Sequence, residues 1–114
     1  MVTFACKKIN PDELIRCSFD INKTEYNVLF FMIKNQSPIT VIRIAKEMKL
    51  ERTTVQKAIK TLLEKSLVKR IQRNLQRGGY IFFYEAGNKK DLKIRIKKIV
   101  HNWVKAVDRE IEKL

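Results

Sequence analysis

The stretch ITVIRIAKEMKLERTTVQKAIKTLLEKSLVKR, residues 39–70, decides the fold. It reads as two short helices joined by a tight turn, the second running into a strand. The first helix, Val41 to Met48, is expected to bury Ile42, Ile44, Ala45 and Met48. The second, Arg52 to Lys65, places Val55, Ala58, Ile59, Leu62 and Leu63 at the three-and-four spacing of a one-faced helix. Its other face carries Arg52, Thr53, Thr54, Gln56, Lys57, Lys60 and Thr61, all donors or small hydroxyls, with no acid among them. A helix with one core face and one donor-rich face suits a DNA major groove. Leu67 to Ile71 reads as a strand, followed by a basic loop closed by Gly78 and Gly79 and a second strand, Tyr80 to Tyr84. Helix, turn, helix, strand, basic loop, strand is the order of a winged helix-turn-helix.

Outward from this unit, Ile39 is expected to add a short edge to the wing sheet, and Thr40 to cap the first helix. Pro38 closes the turn that begins at Asn35. Before it, Glu25 to Asn35 reads as a helix capped by Thr24 and apolar on nearly all sides, the central core helix covered from more than one direction. Asn10-Pro11-Asp12-Glu13 is a strong helix start: an Asn N-cap, Pro at the first helical position, and two acids in the first turn. That short helix turns Leu14, Ile15, Cys17 and Ser18 inward and breaks at Asp20. The wing is residues 72–79, with Arg73 and Arg77 flanking its tip, where they suit phosphates or the minor groove.

After Gly87 comes a last helix, residues 90–114. Ile96, Val100, Trp103, Val107 and Ile111 recur along it in steps of three and four, widened by Ile99 and Val104. Such a helix spans about 37 Å at 1.5 Å per residue, more than a small domain can cover, so the stripe is expected to pair with a second copy. The expected fold is thus mainly α with a small β-hairpin wing: one domain over residues 1–114, with a winged-helix core at 10–86 and a dimerisation helix at 90–114.

Charge points the same way. The chain has 114 residues, 25 Lys and Arg against 12 acids, and a net charge of +13. That balance favours a polyanionic partner. Residues 43–77 hold eleven bases and three acids, a net of +8, whereas residues 1–42 hold five and four. Residues 87–114 hold nine and four. The charge sits on the reading head and the last helix rather than being spread evenly. No apolar run reaches the ~18–20 residues of a membrane span, and the first residues lack a signal peptide's apolar stretch. The cytoplasm, on the nucleoid, is the expected location, with no membrane partner.

Cys6 and Cys17 are too few for a disulfide framework and match no zinc spacing, so they read as reduced thiols, Cys17 as a small core residue and Cys6 in a mobile N-terminal segment. His101 is the only histidine and has no catalytic partners; Gly78-Gly79 lacks the context of a phosphate-cradling loop. No enzyme activity, cofactor or metal is expected.

Residues 50–70, LERTTVQKAIKTLLEKSLVKR, resemble the reading unit of MarR-like and TrmB-like winged-helix regulators. The family form is a small hydroxyl-rich helix start, a Val, an Ala-Leu pair, a Leu, and then a run Lys-Gly-Leu-Val-x-Arg. RNLQRGGYIFFYEA at 73–86 resembles the wing of small archaeal members, and Trp103 their C-terminal helix. The resemblance covers residues 12–114. It implies a homodimer on pseudo-palindromic promoter DNA. By position it assigns DNA contacts to Thr53, Thr54, Gln56, Lys57 and Lys60, with Arg73 and Arg77 in the wing. Lys49 and Ser66 depart from the pattern where glycine is usual, and Glu51 is a weak N-cap. No sugar-sensing domain is present, so a sugar effector is not implied, and the chain names no other small-molecule effector. Two other readings stand beside it: an architectural chromatin protein with weak sequence preference, which the charge also fits, and a protein-interaction winged helix in transcription machinery. The mixed Thr, Gln and Lys face favours base reading over the first, and its lack of aromatic anchors weighs against the second. RNA binding is disfavoured because Tyr80, Phe82 and Tyr84, though on one face, can serve a core.

Overall fold

The computed structural model describes all 114 residues. It contains β1 (Val2–Phe4), β2 (Lys7–Ile9), α1 (Pro11–Phe19), α2 (Lys23–Asn35), α3 (Val41–Met48), α4 (Arg52–Glu64), β3 (Val68–Asn74), β4 (Tyr80–Ala86) and α5 (Lys89–Glu112). The chain divides into two compact units, one made of residues 1–20 and 89–114, the other of residues 21–88. No helix is long and apolar enough to cross a membrane.

The 21–88 unit is the winged helix. α2 packs on α4 and β4, α3 on α4, and α4 on β3. Its core is Val28, Leu29, Met32 and Ile33 of α2, Ile44 and Ala45 of α3, and Val55, Ala58, Ile59 and Leu62 of α4, closed by Ile21, Ile39, Leu67 and Val68. α2 begins at Asn22, not at Thr24. The Asn22 side chain accepts from the Glu25 amide, and the Glu25 carboxylate accepts from the Asn22 amide, both at 2.8 Å. This reciprocal box satisfies two end donors where a Thr24 cap would satisfy one. The apolar wrap of α2 is less complete than its sequence suggests: one broad face is buried, while Tyr26, Phe30 and Phe31 are half-buried. Tyr26 and Phe30 stack on each other with ring centroids 4.6 Å apart.

α3 departs from expectation at Ile42, which is 60% exposed. The buried stripe of so short a helix runs Val41, Ile44, Ala45, Met48, and Ile42 lies well round the axis from Ile44. The Thr40 side chain caps α3 by accepting from the Arg43 amide at 3.2 Å. α3 then closes on Lys49, whose φ of 57° is left-handed. The Leu50 amide donates to the Ala45 carbonyl at 2.9 Å and that of Lys49 to Lys46 at 3.4 Å. α4 ends in the same way at Ser66, φ 57°. There the Leu67 amide donates to the Leu62 carbonyl at 2.9 Å and Ser66 to Leu63 at 3.0 Å. Leu62 and Leu67 are both buried, which completes a Schellman closure with serine standing in for glycine.

β3 and β4 pair antiparallel, Val68 opposite Ala86 and Asn74 opposite Tyr80. Both strands run further than the sequence pattern indicates, so the tip is only residues 75–79. Gly78 (φ 92°) and Gly79 (φ 79°) make the return. Ile39 bridges Tyr84 with bonds in both directions, 2.9 Å from its amide and 2.8 Å to its carbonyl. The expected short edge is therefore present.

In the other unit, β1 and β2 form a small hairpin, Val2 opposite Ile9. Cys6 therefore sits in a turn between strands and is exposed. α1 packs with α5. Pro11 opens α1, although the Asn10 side chain makes no capping bond. Phe19 is buried, and Leu14, Ile15 and Ser18 are half-buried. Cys17 is exposed, not a core residue, because it lies across the helix from Phe19. The Arg95 guanidinium lies over the Phe19 ring, 5.0 Å from its centroid, and Leu92 is buried beside this contact in sequence. Beyond it the apolar stripe of α5 emerges: Trp103 is 62% exposed and Ile111 54%.

Candidate nucleic-acid interface

α4 is split lengthwise by the packing just described. Its buried residues fix the rotation of the helix about its axis. Arg52, Thr53, Gln56, Lys57 and Lys60 consequently face solvent, and Thr54 is half-buried. None of Arg52, Lys57 and Lys60 is paired with a carboxylate. The nearest acids in sequence lie at the helix ends: Glu51 before the first turn, and Glu64 one turn beyond Lys60 on the same side.

The start of α4 carries no side-chain cap. Glu51 takes the N-cap position with extended backbone, but its side chain makes no capping bond. The first-turn amides therefore keep their donors, and the helix dipole adds positive potential there. The weak cap noticed in the sequence thus leaves the donors at this end of the helix without a side-chain partner from Glu51.

The hairpin presents two faces. On one lie Ile71, Arg73, Ile81 and Phe83; on the other Arg70, Gln72, Tyr80, Phe82 and Tyr84. Arg73 belongs to β3 rather than to the tip, and its guanidinium lies over the Phe83 ring, 4.6 Å from the centroid. Arg77 is in the tip and exposed. The two arginines expected to act together therefore differ: one is stacked and oriented, the other is free to reach. Sequence reasoning passed over Arg70. It is exposed and lies over Phe82 at 4.3 Å, while Tyr80 stacks on Phe82 at 5.1 Å. Strand alternation alone, which sets Arg70 opposite Tyr84 and diagonal to Phe82, could have identified it. Two further acids are paired: Glu85 with Lys69 at 3.7 Å, and Glu47 with Arg43 at 3.5 Å.

Residues 21–74, which span α2 to β3, match the MarR family. The uncharacterized protein MJ1503 of Methanocaldococcus jannaschii is 36% identical over 109 residues, which cover 96% of this chain and 82% of that protein. A "possible transcriptional regulator" of Methanosarcina mazei has the same fold with a TM-score of 0.90 and 32% identity, over 99% of this chain and 95% of that one. The ST1889 protein of Sulfolobus tokodaii superposes with a TM-score of 0.68 at 26% identity, over 83% of this chain and 92% of its own. MarR proteins are DNA-binding transcription regulators, not enzymes. With its reading helix, closed turns and hairpin in the family's order, the chain belongs to the MarR family of winged helix-turn-helix transcriptional regulators.

Proposed function

We propose that the protein binds double-stranded DNA as a homodimer, with α4 in the major groove of each half of a pseudo-palindromic promoter site. The observation that carries this reading is the division of α4: Val55, Ala58, Ile59 and Leu62 are buried, while Arg52, Thr53, Gln56, Lys57 and Lys60 are exposed. Gln56 can take adenine in a bidentate pair, Lys57 and Lys60 suit guanine or phosphate, and the open first turn suits phosphate. Arg77 at the tip reaches phosphate or the minor groove. Arg73, held against Phe83, is a preset charge that loses less side-chain freedom on binding.

Dimerisation rests on α5. Homodimers are typical of the MarR family. Trp103, Val107 and Ile111 continue the stripe begun by Ile96 and Val100 beyond the region that packs with α1, and Trp103 and Ile111 are more than half exposed. A paired stripe would set two reading heads about one turn of DNA apart, ~34 Å.

Gel shifts on the chain's own genomic neighbourhood test the reading. Gln56→Ala should cost roughly 1–3 kcal/mol at the preferred site and relax the preference there, while Arg77→Ala should weaken binding to all sequences alike. Equal losses on preferred and random DNA for Gln56→Ala would remove the base-reading role of α4.

A further inference from the structure

Much of the positive charge lies on α5, away from the reading helix. Residues 89–105 hold seven Lys and Arg against one acid, Asp91, whereas residues 106–114 hold two against three. Lys90, Lys93, Lys97 and Lys105 recur on one side of the helix, with Lys98 beside them, and all five are exposed. None is paired with a carboxylate. The apolar stripe runs about a quarter turn round the helix from this row, with Lys93 at its edge.

Helix energetics do not account for this arrangement. Asp91 in the first turn and Arg109 in the last are placed with the dipole, but Lys89 and Lys90 stand at its positive end, the reverse of the favourable placement. Lys89 with Lys93, Lys90 with Lys93, and Lys93 with Lys97 are like-charge neighbours that destabilise the helix. The row relieves this repulsion only when it meets a polyanion. Its composition narrows the occupant. Lysines alone, without arginine forks or amides, suit phosphates and carry no base code. From Lys90 to Lys105 the row spans about 22 Å, which matches roughly six base pairs at 3.4 Å each. A lipid surface fits poorly. Among the lysines only Ile94 is an exposed apolar side chain, at 57%, while Leu92 is buried and Ile96 and Ile99 are half-buried; a single isoleucine is too little apolar surface to anchor a helix in lipid. The exposed apolar end, Trp103 to Leu114, holds three bases and three acids and so carries no net positive charge.

We infer that the lysine face of α5 is a second, sequence-independent binding surface whose occupant is the phosphate backbone of duplex DNA outside the site taken by α4. This rests on the proposed DNA binding by α4 only in the choice of duplex as the polyanion.

The test uses the full chain, a Lys93→Gln, Lys97→Gln, Lys98→Gln triple variant, and Gln56→Ala in parallel. Fluorescence anisotropy follows binding to a random-sequence duplex and to the preferred site between about 50 and 200 mM salt. The triple variant should show a log–log salt slope shallower by roughly 2–3 per chain, with its preference for the preferred site unchanged. Gln56→Ala should lose preference and keep the slope. Glutamine retains helix propensity, so thermal unfolding of the variant should match or exceed that of the wild type, which separates lost binding from lost folding. A triple variant with the wild-type slope overturns the inference. So does an unchanged duplex slope together with lost binding to single-stranded RNA, or to phosphatidylcholine vesicles containing phosphatidylserine; either result gives the face a different partner. A lysine-dependent slope in a protein with no base preference would leave this surface standing and remove the reading role of α4. No duplex binding by the wild type would remove both.

Discussion

Lys49 holds the turn between α3 and α4 in the left-handed region, φ 57° and ψ 44°, where a side chain is strained. Its own side chain is exposed and makes no contact that offsets the strain. Lys49→Gly should therefore stabilise the protein by about 0.5–1 kcal/mol, the relief of strain outweighing the greater freedom glycine gives the unfolded chain. Differential scanning calorimetry should show a rise of a few degrees, about 4–8 °C per kcal/mol for a domain of this size. A fall in Tm would mean that the lysine contributes something the backbone geometry does not reveal. This residue was readable from sequence because the flanking pattern was regular enough to expose a missing glycine. Ile42 and Cys17 were not read correctly. Each is apolar or small within an apolar run, and which of two neighbouring residues faces inward depends on the rotation of the helix against its partners. For Ile42 the signal existed, since Val41, Ile44, Ala45 and Met48 already form a complete stripe without it.

At the level of elements, α5 carries the exposed apolar stripe. Trp103 is 62% exposed in the single chain, a large aromatic surface left to water. If the stripe pairs as proposed, Trp103→Glu places a charge at the centre of the interface. Light scattering should then give a dimer for the wild type at micromolar concentration and a monomer for the variant, with far-UV circular dichroism unchanged. A wild-type monomer, or a variant that remains dimeric, would refute pairing through this face. The long elements were legible because their periodicity repeats over several turns. The hairpin of β1 and β2 was not: each strand has three residues and nearly all of them are exposed, so no inside and outside alternate. The start of α2 was legible but misplaced, since Asn22-Lys23-Thr24-Glu25 carries the capping-box pattern in plain order.

Across the whole molecule, with a net charge of +13, the number of cations that meet phosphate sets how binding responds to salt. A dimer that neutralises about 8 phosphates through α4 and the hairpin should show log K falling with log salt at a slope near −7, and a steeper slope if α5 also engages. A slope shallower than about −3 would mean that most of these cations remain in solvent on binding. Composition gave the sign of the partner and the sequence order gave the winged helix. The grouping of α1 with α5, apart from the 21–88 unit, had no local signature, because it depends on contacts between segments about seventy residues apart.

The paired bonds between Ile39 and Tyr84 close the chain on itself: α3, α4 and both hairpin strands lie within the loop that they fasten. A closed linkage has fewer independent motions than an open string of the same parts. Tilting the wing pulls on the residue just before the Thr40 cap, and shifting α3 pulls on the far strand of the wing. α4 lies between these two anchor points, so if it reads DNA as proposed, a displacement at either end should reach the groove as a change in the pitch of α4 rather than as local fraying.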